Sequence, residues 1–396
     1  MTRLLSAAKA LGVCAAIAML AETSLAQENR VEPLAAYQKL DPSGVTVSGI
    51  SSGAFFAHQF HIAYSGLVKG AGLVAGGPYG CADNADSITP PFGKPIFVAA
   101  VPRRVVAALA ECTTLGRDTF KEQGWGFPDK PDAKDSLAVA RRELADGKID
   151  DPANLATSRV WVFHGNKDTA VPQPTIEALT AFYRFMGVPA ANIQVVDGPD
   201  AQHGMPIDAL PPVGTGRPHC DPPEPSFLVK CDYGAAEELL PDLYPGGASA
   251  AGAATGRIVR FDQTPFFDAE DASTSLNKFG YLYVPQACEN DAPSAGACRL
   301  HVAFHGCEQY AAKIGDRFAK EAGYNAWADA NRVIVLYPQA AQWLRPLVDP
   351  SELSANPQGC WDWWGYSGDD YLGRDGKQMR AVRAMIARML PPAKPR

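Results

Sequence analysis

Three residues have the types and the chain order needed for nucleophilic catalysis: Ser51, Asp168 and His203. Ser51 lies in the pentapeptide GISSG, residues 49–53, where an alternating, strand-like segment gives way to a helix-like one. Gly-x-Ser-x-Gly between a strand and a helix is typical of a nucleophile elbow, a strained turn that exposes the serine hydroxyl. The alternative is an ordinary glycine turn in which Ser51 or Ser52 caps the helix.

A serine hydroxyl needs a base to take its proton, and the base needs an acid to orient it. Asp168 follows the strand-like segment RVWVFHG, and His203 follows NIQVVDG. Both are therefore predicted in loops at strand ends, and the order serine, aspartate, histidine is that of α/β-hydrolases. Asp197 and Asp200 are alternatives for the acid, and His164 is an alternative for the base.

A third motif, AFHGCEQ from Ala303, reads as a strand that ends in His-Gly and a small residue. Such a strand end commonly supplies the second N–H of an oxyanion hole. It normally precedes the serine, whereas here it comes far later in the chain. The usual order returns if the strands GRIVRFDQ to NRVIVLYPQA count as one to four and VTVSGI to NIQVVDG as five to eight. The chain is therefore predicted to be circularly permuted, which folds with adjacent termini tolerate.

Eight strands and several helices must position these residues. The predicted strands are VTVSGI, GAGLVAGG, RVWVFHG, NIQVVDG, GRIVRFDQ, FGYLYVPQA, RLHVAFHG and NRVIVLYPQA. Apolar residues recur at helical spacing from Ile176, through QYAAKIGDRFAKEAGYNAWADA, and from Met379. This alternation predicts a mostly parallel α/β sheet flanked by helices. Stretches rich in Pro, Gly and Ala predict an irregular insertion around 207–256 within one catalytic domain, 27–396.

The N-terminal segment has the features of a secretory signal. Arg3 and Lys9 precede an apolar stretch, residues 11–20, and the sequence Ser-Leu-Ala at 24–26 suits cleavage by signal peptidase. An N-terminal membrane anchor is the alternative, but the apolar stretch is short for a span. We therefore expect residues 1–26 to be removed and the remaining chain to be secreted, extracellular or periplasmic, without membrane attachment.

The composition of the chain limits the kinds of partner that it is expected to bind. The 396 residues are 46% hydrophobic, which is ample for a large core. A net charge of -7 and the lack of a long basic run argue against nucleic acid. Of nine cysteines, Cys14 lies in the predicted signal, which leaves an even number. In an exported protein they predict disulfides rather than a zinc site, because no Cys-x-x-Cys pair occurs.

The motifs SGISSG, HGNKDTAVP, HGMP, HGC and GCWDWWGY, in this order, resemble those of the secreted single-domain poly(3-hydroxybutyrate) depolymerases, which are circularly permuted α/β-hydrolases. The resemblance extends over nearly all of the chain after the signal. It implies a serine esterase that acts on polyester without metal or cofactor. Its triad would be Ser51, Asp168 and His203, and the backbone N–H groups of Ser52 and Cys307 would form the oxyanion hole. We expect a monomer.

The segment GCWDWWGY adds three tryptophans, Trp361, Trp363 and Trp364. Tryptophan rings can bind the surface of an apolar polyester, so all three are predicted substrate contacts. Core packing is the alternative, and we expect it for at least one of them.

Eight cysteines allow about 105 pairings. Cys220–Cys231 and Cys288–Cys298 are predicted because they close short loops in irregular segments. Cys81–Cys112 and Cys307–Cys360 follow from what remains, and the last pair also fits the family. A Cys307–Cys360 bridge would hold the tryptophan segment beside the serine, because bridged Cα atoms lie within roughly 4.4 to 6.8 Å.

Two other functions use the same sequence features. A secreted carboxylesterase for feruloyl or acetyl esters of plant polysaccharides would have the same triad. A hydrolase-like scaffold for adhesion is the non-catalytic alternative, which an intact triad disfavours. Comparison of the activity on polymer film with the activity on small aryl esters distinguishes a carboxylesterase from a depolymerase. Labelling by a serine-directed phosphonate distinguishes an enzyme from a non-catalytic scaffold.

Overall fold

The structure is a computed structural model, and it describes most of the chain after the predicted signal. The described residues are 30–94, 101–197, 199–210, 219–248, 252–293, 296–344 and 355–391. The predicted signal, residues 1–26, lies outside them. Among the described residues, no helix is both long and apolar enough to cross a bilayer.

The centre of the fold is a nine-stranded sheet that contains all eight predicted strands. The strands of the described chain are β1 Val31–Pro33, β2 Leu40–Ile50, β3 Val68–Val74, β4 Arg159–His164, β5 Ile193–Asp197, β6 Met205–Asp208, β7 Leu228–Cys231, β8 Arg257–Asp262, β9 Phe279–Val284, β10 Cys298–Phe304 and β11 Val333–Tyr337. The sheet order is β1-β8-β9-β11-β10-β2-β3-β4-β5, and β6 pairs with β7 separately. Only β9 runs antiparallel to its neighbours in this sheet, so the predicted, mostly parallel sheet is confirmed.

The strand order also confirms the circular permutation. Counted from β8 to β11 and then from β2 to β5, the eight predicted strands lie in the order 1-2-4-3-5-6-7-8. The two ends of the described chain lie together: the N–H of Tyr37 donates to the carbonyl of Met389 at 2.8 Å, and Arg388 Nε donates to the carbonyl of Leu34 at 3.0 Å. Adjacent ends allow one fold to begin at a different strand.

Helices surround the sheet. They are α1 Ser52–Ala63, α2 Arg103–Val106, α3 Arg117–Gln123, α4 Ala133–Ala145, α5 Gln173–Phe185, α6 Ala235–Leu243, α7 Ala311–Ile314, α8 Arg317–Glu321, α9 Tyr324–Ala330 and α10 Lys377–Met389, and a π-helical turn at Ala107–Cys112 continues α2. The segment that begins at Gln309 was predicted as one helical pattern, but it forms α7, α8 and α9. Gly315 and Gly323, at φ 66° and 87°, interrupt it, because a right-handed helix cannot continue through positive φ.

Two hydrophobic clusters form the interior. The main core lies between the sheet and helices that include α1, all of whose residues are buried. A smaller cluster lies between β3 and β4 in residues 81–94 and 101–127, here named the cap segment. Its buried members are Ile88, Val106, Ala107, Ala110, Phe120 and Trp125. This unit was not predicted from the sequence.

The predicted insertion around 207–256 is less irregular than expected. It includes the end of β6, all of β7 and α6, and α6 buries Leu239 and Leu240 against the main core. The prediction of irregular structure was wrong for these elements, because proline and glycine in the flanking stretches concealed a short apolar helix. The stretches 211–218 and 249–251 lie outside the described residues.

Candidate active site

Ser51 occupies a strained turn between β2 and α1. Its backbone has φ 53° and ψ -123°, a region that costs a non-glycine residue energy and is found mostly at functional sites. Close approach explains the two flanking glycines. A Cβ on Gly49 would lie 2.3 Å from the carbonyl of Gly53, and a Cβ on Gly53 would lie 2.4 Å from the carbonyl oxygens of Phe304 and His305.

The sheet brings the three sequence-predicted residues to one edge. Strands β2 and β10 are parallel neighbours, and β3, β4 and β5 continue the sheet in parallel. Ser51 follows β2, Asp168 lies in the loop after β4, and His203 lies in the loop after β5. Because parallel strands end at the same edge, residues far apart in sequence meet there.

A continuous chain of hydrogen bonds joins these three side chains. Ser51 Oγ lies 2.9 Å from His203 Nε2, and His203 Nδ1 lies 2.8 Å from Asp168 Oδ2. The other carboxylate oxygen, Asp168 Oδ1, accepts the backbone N–H groups of Ala170 at 2.8 Å and Val171 at 3.0 Å. When Nδ1 donates to the carboxylate, Nε2 is free to accept the serine proton, which is the arrangement of a Ser-His-Asp triad.

The electrostatics of Asp168 suit an orienting acid. Burial acts to raise the pKa of Asp168, but hydrogen bonds from His203, Val171 and Ala170 outweigh it and hold that pKa below its ordinary value. The carboxylate therefore stays charged at neutral pH and faces the imidazole. Its side chain is 2% exposed and that of His203 is 21% exposed, so the base remains accessible from the solvent side.

The alternative acids and base lie at the same edge of the sheet. Asp200 pairs with Lys167 at 3.2 Å in a partly exposed position. Asp197 is the last residue of β5, and His164 is the buried last residue of β4. The Ser51 hydroxyl has His203 as its hydrogen-bond partner.

The loop after β10 carries Cys307 and approaches Ser51, since a Cβ on Gly306 would lie 3.5 Å from Ser51 Cβ. Burial lowers the pKa of His305 to about 4, so its imidazole is neutral near pH 7. Its Nε2 accepts the N–H of Ala340 at 3.1 Å, which assigns the proton to Nδ1, and Nδ1 donates to the carbonyl of Gly306 at 2.7 Å. That carbonyl and the N–H of Cys307 belong to one planar trans peptide and point in opposite directions. His305 therefore fixes the direction of the Cys307 N–H.

Ser52 occupies the first position of α1. The first N–H groups of a helix have no intrahelical acceptor, and the positive end of the helix favours negative charge nearby. The Ser52 hydroxyl is buried and accepts the N–H of Trp361 at 3.3 Å. Its side chain therefore holds the tryptophan segment, while its backbone N–H lies at the helix end next to Ser51.

The cysteines are bridged in the pairs predicted above. The bridges are Cys81–Cys112, Cys220–Cys231, Cys288–Cys298 and Cys307–Cys360. The last bridge brings the Cα atoms of Cys307 and Cys360 to 4.1 Å. It ties the loop after β10 to the segment that carries the tryptophans.

The three tryptophans have different surroundings. Trp361 is fully buried between Phe56, Phe304 and His305. The prediction of a substrate contact was therefore wrong for Trp361, because its ring fills the core under the elbow. Trp363 is 5% exposed and stacks on Phe55 with ring centroids 4.0 Å apart, and Trp364 is half-buried.

A cavity of about 380 Å³ opens on Ser51 and His203. Trp363, Trp364 and Cys307 are among the residues that line it. The cap segment contributes an apolar wall made of Val101, Val105, Ala108, Leu109, Leu115 and Phe120. This wall was not predicted from the sequence, although the apolar run VVAALA at 105–110 is a signal for it. The cavity can hold an apolar acyl or alcohol group against the serine hydroxyl.

The described side chains offer no evident metal site: no group of three or more His, Cys, Asp or Glu residues among them could hold an ion.

The chain is similar to known depolymerases. It is 34% identical over 355 residues to the poly(3-hydroxybutyrate) depolymerase of Delftia acidovorans, which covers 89% of this chain and 60% of that protein. It is 30% identical over 354 residues to the polyhydroxybutyrate depolymerase of Talaromyces funiculosus, which covers 89% of this chain and 91% of that protein. No protein-family model matches.

Solved structures of PHB depolymerases are also similar to this chain. A PHB depolymerase from Penicillium funiculosum, and a serine-to-alanine variant of a PHB depolymerase complexed with an R3HB trimer, each superpose with a TM-score of 0.69 at 29% identity. Each match covers 90% of this chain and 98% of the other. With a relative at 30% identity that is matched over nine-tenths of its length, the chain belongs to the polyhydroxybutyrate depolymerase family.

Proposed function

We propose that this protein is an exported serine esterase that hydrolyses the ester bonds of poly(3-hydroxybutyrate) or a similar short-chain polyester. The observation that carries the proposal is the hydrogen-bond chain from Ser51 through His203 to Asp168 at an apolar cavity. The same constellation serves many acyl transfers. The polyester is suggested by family membership and by the solved structure of a PHB depolymerase variant complexed with an R3HB trimer.

The geometry supports a two-step reaction through an acyl-enzyme. His203 Nε2 takes the hydroxyl proton as Ser51 Oγ attacks the ester carbonyl carbon, and the carbonyl oxygen becomes the oxyanion. The N–H groups of Ser52 and Cys307 are the proposed donors to that oxygen, which each contribute a few kcal/mol to transition-state stabilisation. The alcohol then leaves with the proton from His203, and water releases the hydroxyacid by the same steps in reverse.

The triad, the oxyanion donors and the substrate contacts of Trp363 and Trp364 are parts of this proposal. So are the division into a signal, residues 1–26, and one catalytic domain, residues 27–396. Four disulfides suit a protein that functions outside the reducing cytosol. We also propose that the exported protein acts as a monomer.

A substrate panel tests the proposal. Wild-type protein is incubated with amorphous poly(3-hydroxybutyrate), with p-nitrophenyl butyrate and with methyl ferulate, and the products are quantified by chromatography. We expect soluble 3-hydroxybutyrate oligomers or monomers and aryl ester turnover. Feruloyl esterase activity without release from the polymer would identify a polysaccharide esterase and overturn the proposal.

A further inference from the structure

Gln309 is a buried amide two residues beyond Cys307, and among the described residues its side chain hydrogen-bonds to backbone groups. Its side chain is 1% exposed. Oε1 accepts the N–H of Gly306 at 2.7 Å, and Nε2 donates to the carbonyls of Ser226 at 2.9 Å and Phe227 at 3.2 Å. One side chain thus joins the loop that presents Cys307 to a distant turn in the predicted insertion.

That turn also holds the loop of His203. The carbonyl of Phe227, which accepts from Gln309, also accepts the N–H of Met205 at 2.8 Å. A Cβ on Gly204, the residue after His203, would lie 2.9 Å from the same carbonyl and 2.4 Å from Val229 Cγ2. Phe227 itself has φ 51°, a rare conformation for this residue type.

We propose that Gln309 is a positioning residue for ester hydrolysis, which ties the oxyanion loop and the loop of the general base to one carbonyl, that of Phe227. This inference rests on the proposed function. It also gives the insertion a role, because its 226–227 turn supports both loops from outside the sheet.

The short path from Gln309 to the reacting atoms makes the position sensitive. A Cβ on Gly306 would lie 3.0 Å from Gln309 Oε1 and 3.5 Å from Ser51 Cβ. The Gly306 N–H and the Cys307 N–H belong to consecutive peptides, so a rotation of one changes the direction of the other. Misplacement of a reacting group or donor by about 1 Å can cost about 100-fold in rate.

The test compares wild type, Gln309→Met, Gln309→Glu and a control, Asn331→Leu. Methionine keeps the length of the side chain but removes all three hydrogen bonds. Asn331 makes the same kind of clamp, since its amide accepts the N–H of Ala248 at 2.7 Å and donates to the carbonyl of Ala248 at 2.8 Å. It precedes β11 and therefore lies at the sheet edge opposite Ser51.

Steady-state kinetics on p-nitrophenyl butyrate and thermal unfolding are measured for all four proteins. We expect Gln309→Met to lower kcat about 10- to 100-fold with KM changed less than about 3-fold, because the donors act on the transition state. Asn331→Leu should lower the Tm while kcat stays within about 2-fold. Unchanged kcat in Gln309→Met, or an equal loss in Asn331→Leu at a matched Tm, would overturn the inference.

Gln309→Glu covers the case in which the methionine variant does not fold. A carboxylate retains the acceptor for the Gly306 N–H but cannot donate to Ser226 or Phe227, whereas a protonated carboxyl can. The ratio of variant to wild-type kcat should therefore rise as pH falls, and a pH-independent ratio would contradict the inference. If the wild type is active and the Gln309 variants keep its activity, only the role of Gln309 is refuted. Wild type without activity on either p-nitrophenyl butyrate or the polymer refutes the proposed function and this inference together.

Discussion

The two carboxylate oxygens of Asp168 accept hydrogen bonds from different donors, and only one of them faces His203. Oδ2 lies 2.8 Å from His203 Nδ1, while Oδ1 accepts two backbone N–H groups. The two backbone N–H groups need an acceptor, so the loop keeps Oδ1 turned toward them and leaves Oδ2 facing His203. The proton of the imidazole is thereby held on Nδ1, and Nε2 is left to accept from Ser51.

This asymmetry predicts a severe effect for Asp168→Asn. The asparagine oxygen must face the two N–H groups, so its NH₂ group faces His203 Nδ1, which then becomes an acceptor. The imidazole proton moves to Nε2, and this nitrogen can then no longer take the proton of Ser51. We expect kcat on p-nitrophenyl butyrate to fall about 10⁴-fold, with thermal unfolding measured in parallel to show that the fold is retained.

Asp200→Asn is the matched control, because Asp200 is the alternative acid in the same loop region and pairs with Lys167. Its loss should change kcat by less than about 3-fold, as expected for a partly exposed ion pair. A loss of similar size in both variants would mean that the acid has been assigned wrongly.

The tryptophans predict a separation between polymer and soluble substrate. Trp364 lines the cavity and is half-buried. Its replacement by Ala should lower release from polymer film about 10-fold, a loss of about 1.4 kcal/mol of contact, while kcat/KM on p-nitrophenyl butyrate changes less than about 3-fold. Trp363→Ala should act in the same direction, with a loss of stability in addition because of its stacking on Phe55.

Trp361→Ala should behave differently from both. Removal of a fully buried ring costs about 3–5 kcal/mol of folding free energy, so both activities and the Tm should fall together. Film and soluble-ester assays on the three variants measure this. If no variant separates the two activities, the tryptophans are structural and the polyester substrate loses its support from this segment.

The sequence predicted the centre of the large sheet well because its central strands are buried on both faces. Segments such as RVWVFHG and RLHVAFHG are continuous apolar runs with clear boundaries, which is typical of parallel sheets covered by helices. The reordering of their motifs required only the chain order. The three short helices after Gln309 were harder to predict, because the glycines that end them lie within an otherwise helical pattern.

The parts of the site that the sequence did not reveal depend on tertiary contacts. The cap wall is apolar at Val105 and Leu109, but apolar residues near a cavity and in a core look alike in sequence. Gln309 carries no signal at all, since its role follows from the meeting of three distant loops. The burial of Trp361 was likewise invisible, because the three tryptophans are neighbours in the chain.

A buried histidine predicts acid-sensitive stability. His301 is fully buried between Thr46 Oγ1 and Ser48 Oγ, each 2.7 Å from a ring nitrogen. Burial lowers its pKa to about 3. Between about pH 6.5 and 3 the unfolded chain binds a proton at this residue that the folded protein does not, so the stabilisation is complete above pH 6.5 and is lost as pH falls.

The difference in unfolding free energy between wild type and His301→Gln isolates this residue from other titrating groups. Wild type should lose about 1.4 kcal/mol per pH unit relative to the variant between pH 6.5 and 4.5, measured by urea unfolding at several pH values. A difference that is independent of pH would contradict the assignment of a neutral, buried His301.

The nucleophile is the central claim, and Ser51→Ala is its most direct test. Wild type, Ser51→Ala and Ser52→Ala are compared for the products released from amorphous poly(3-hydroxybutyrate), with thermal unfolding as the check on folding. Ser51→Ala should lose at least about 10⁴-fold in rate with little change in Tm, whereas Ser52→Ala should lose far less, because its proposed contribution is a backbone N–H. Near-wild-type release of hydroxyacid products by Ser51→Ala would contradict the account.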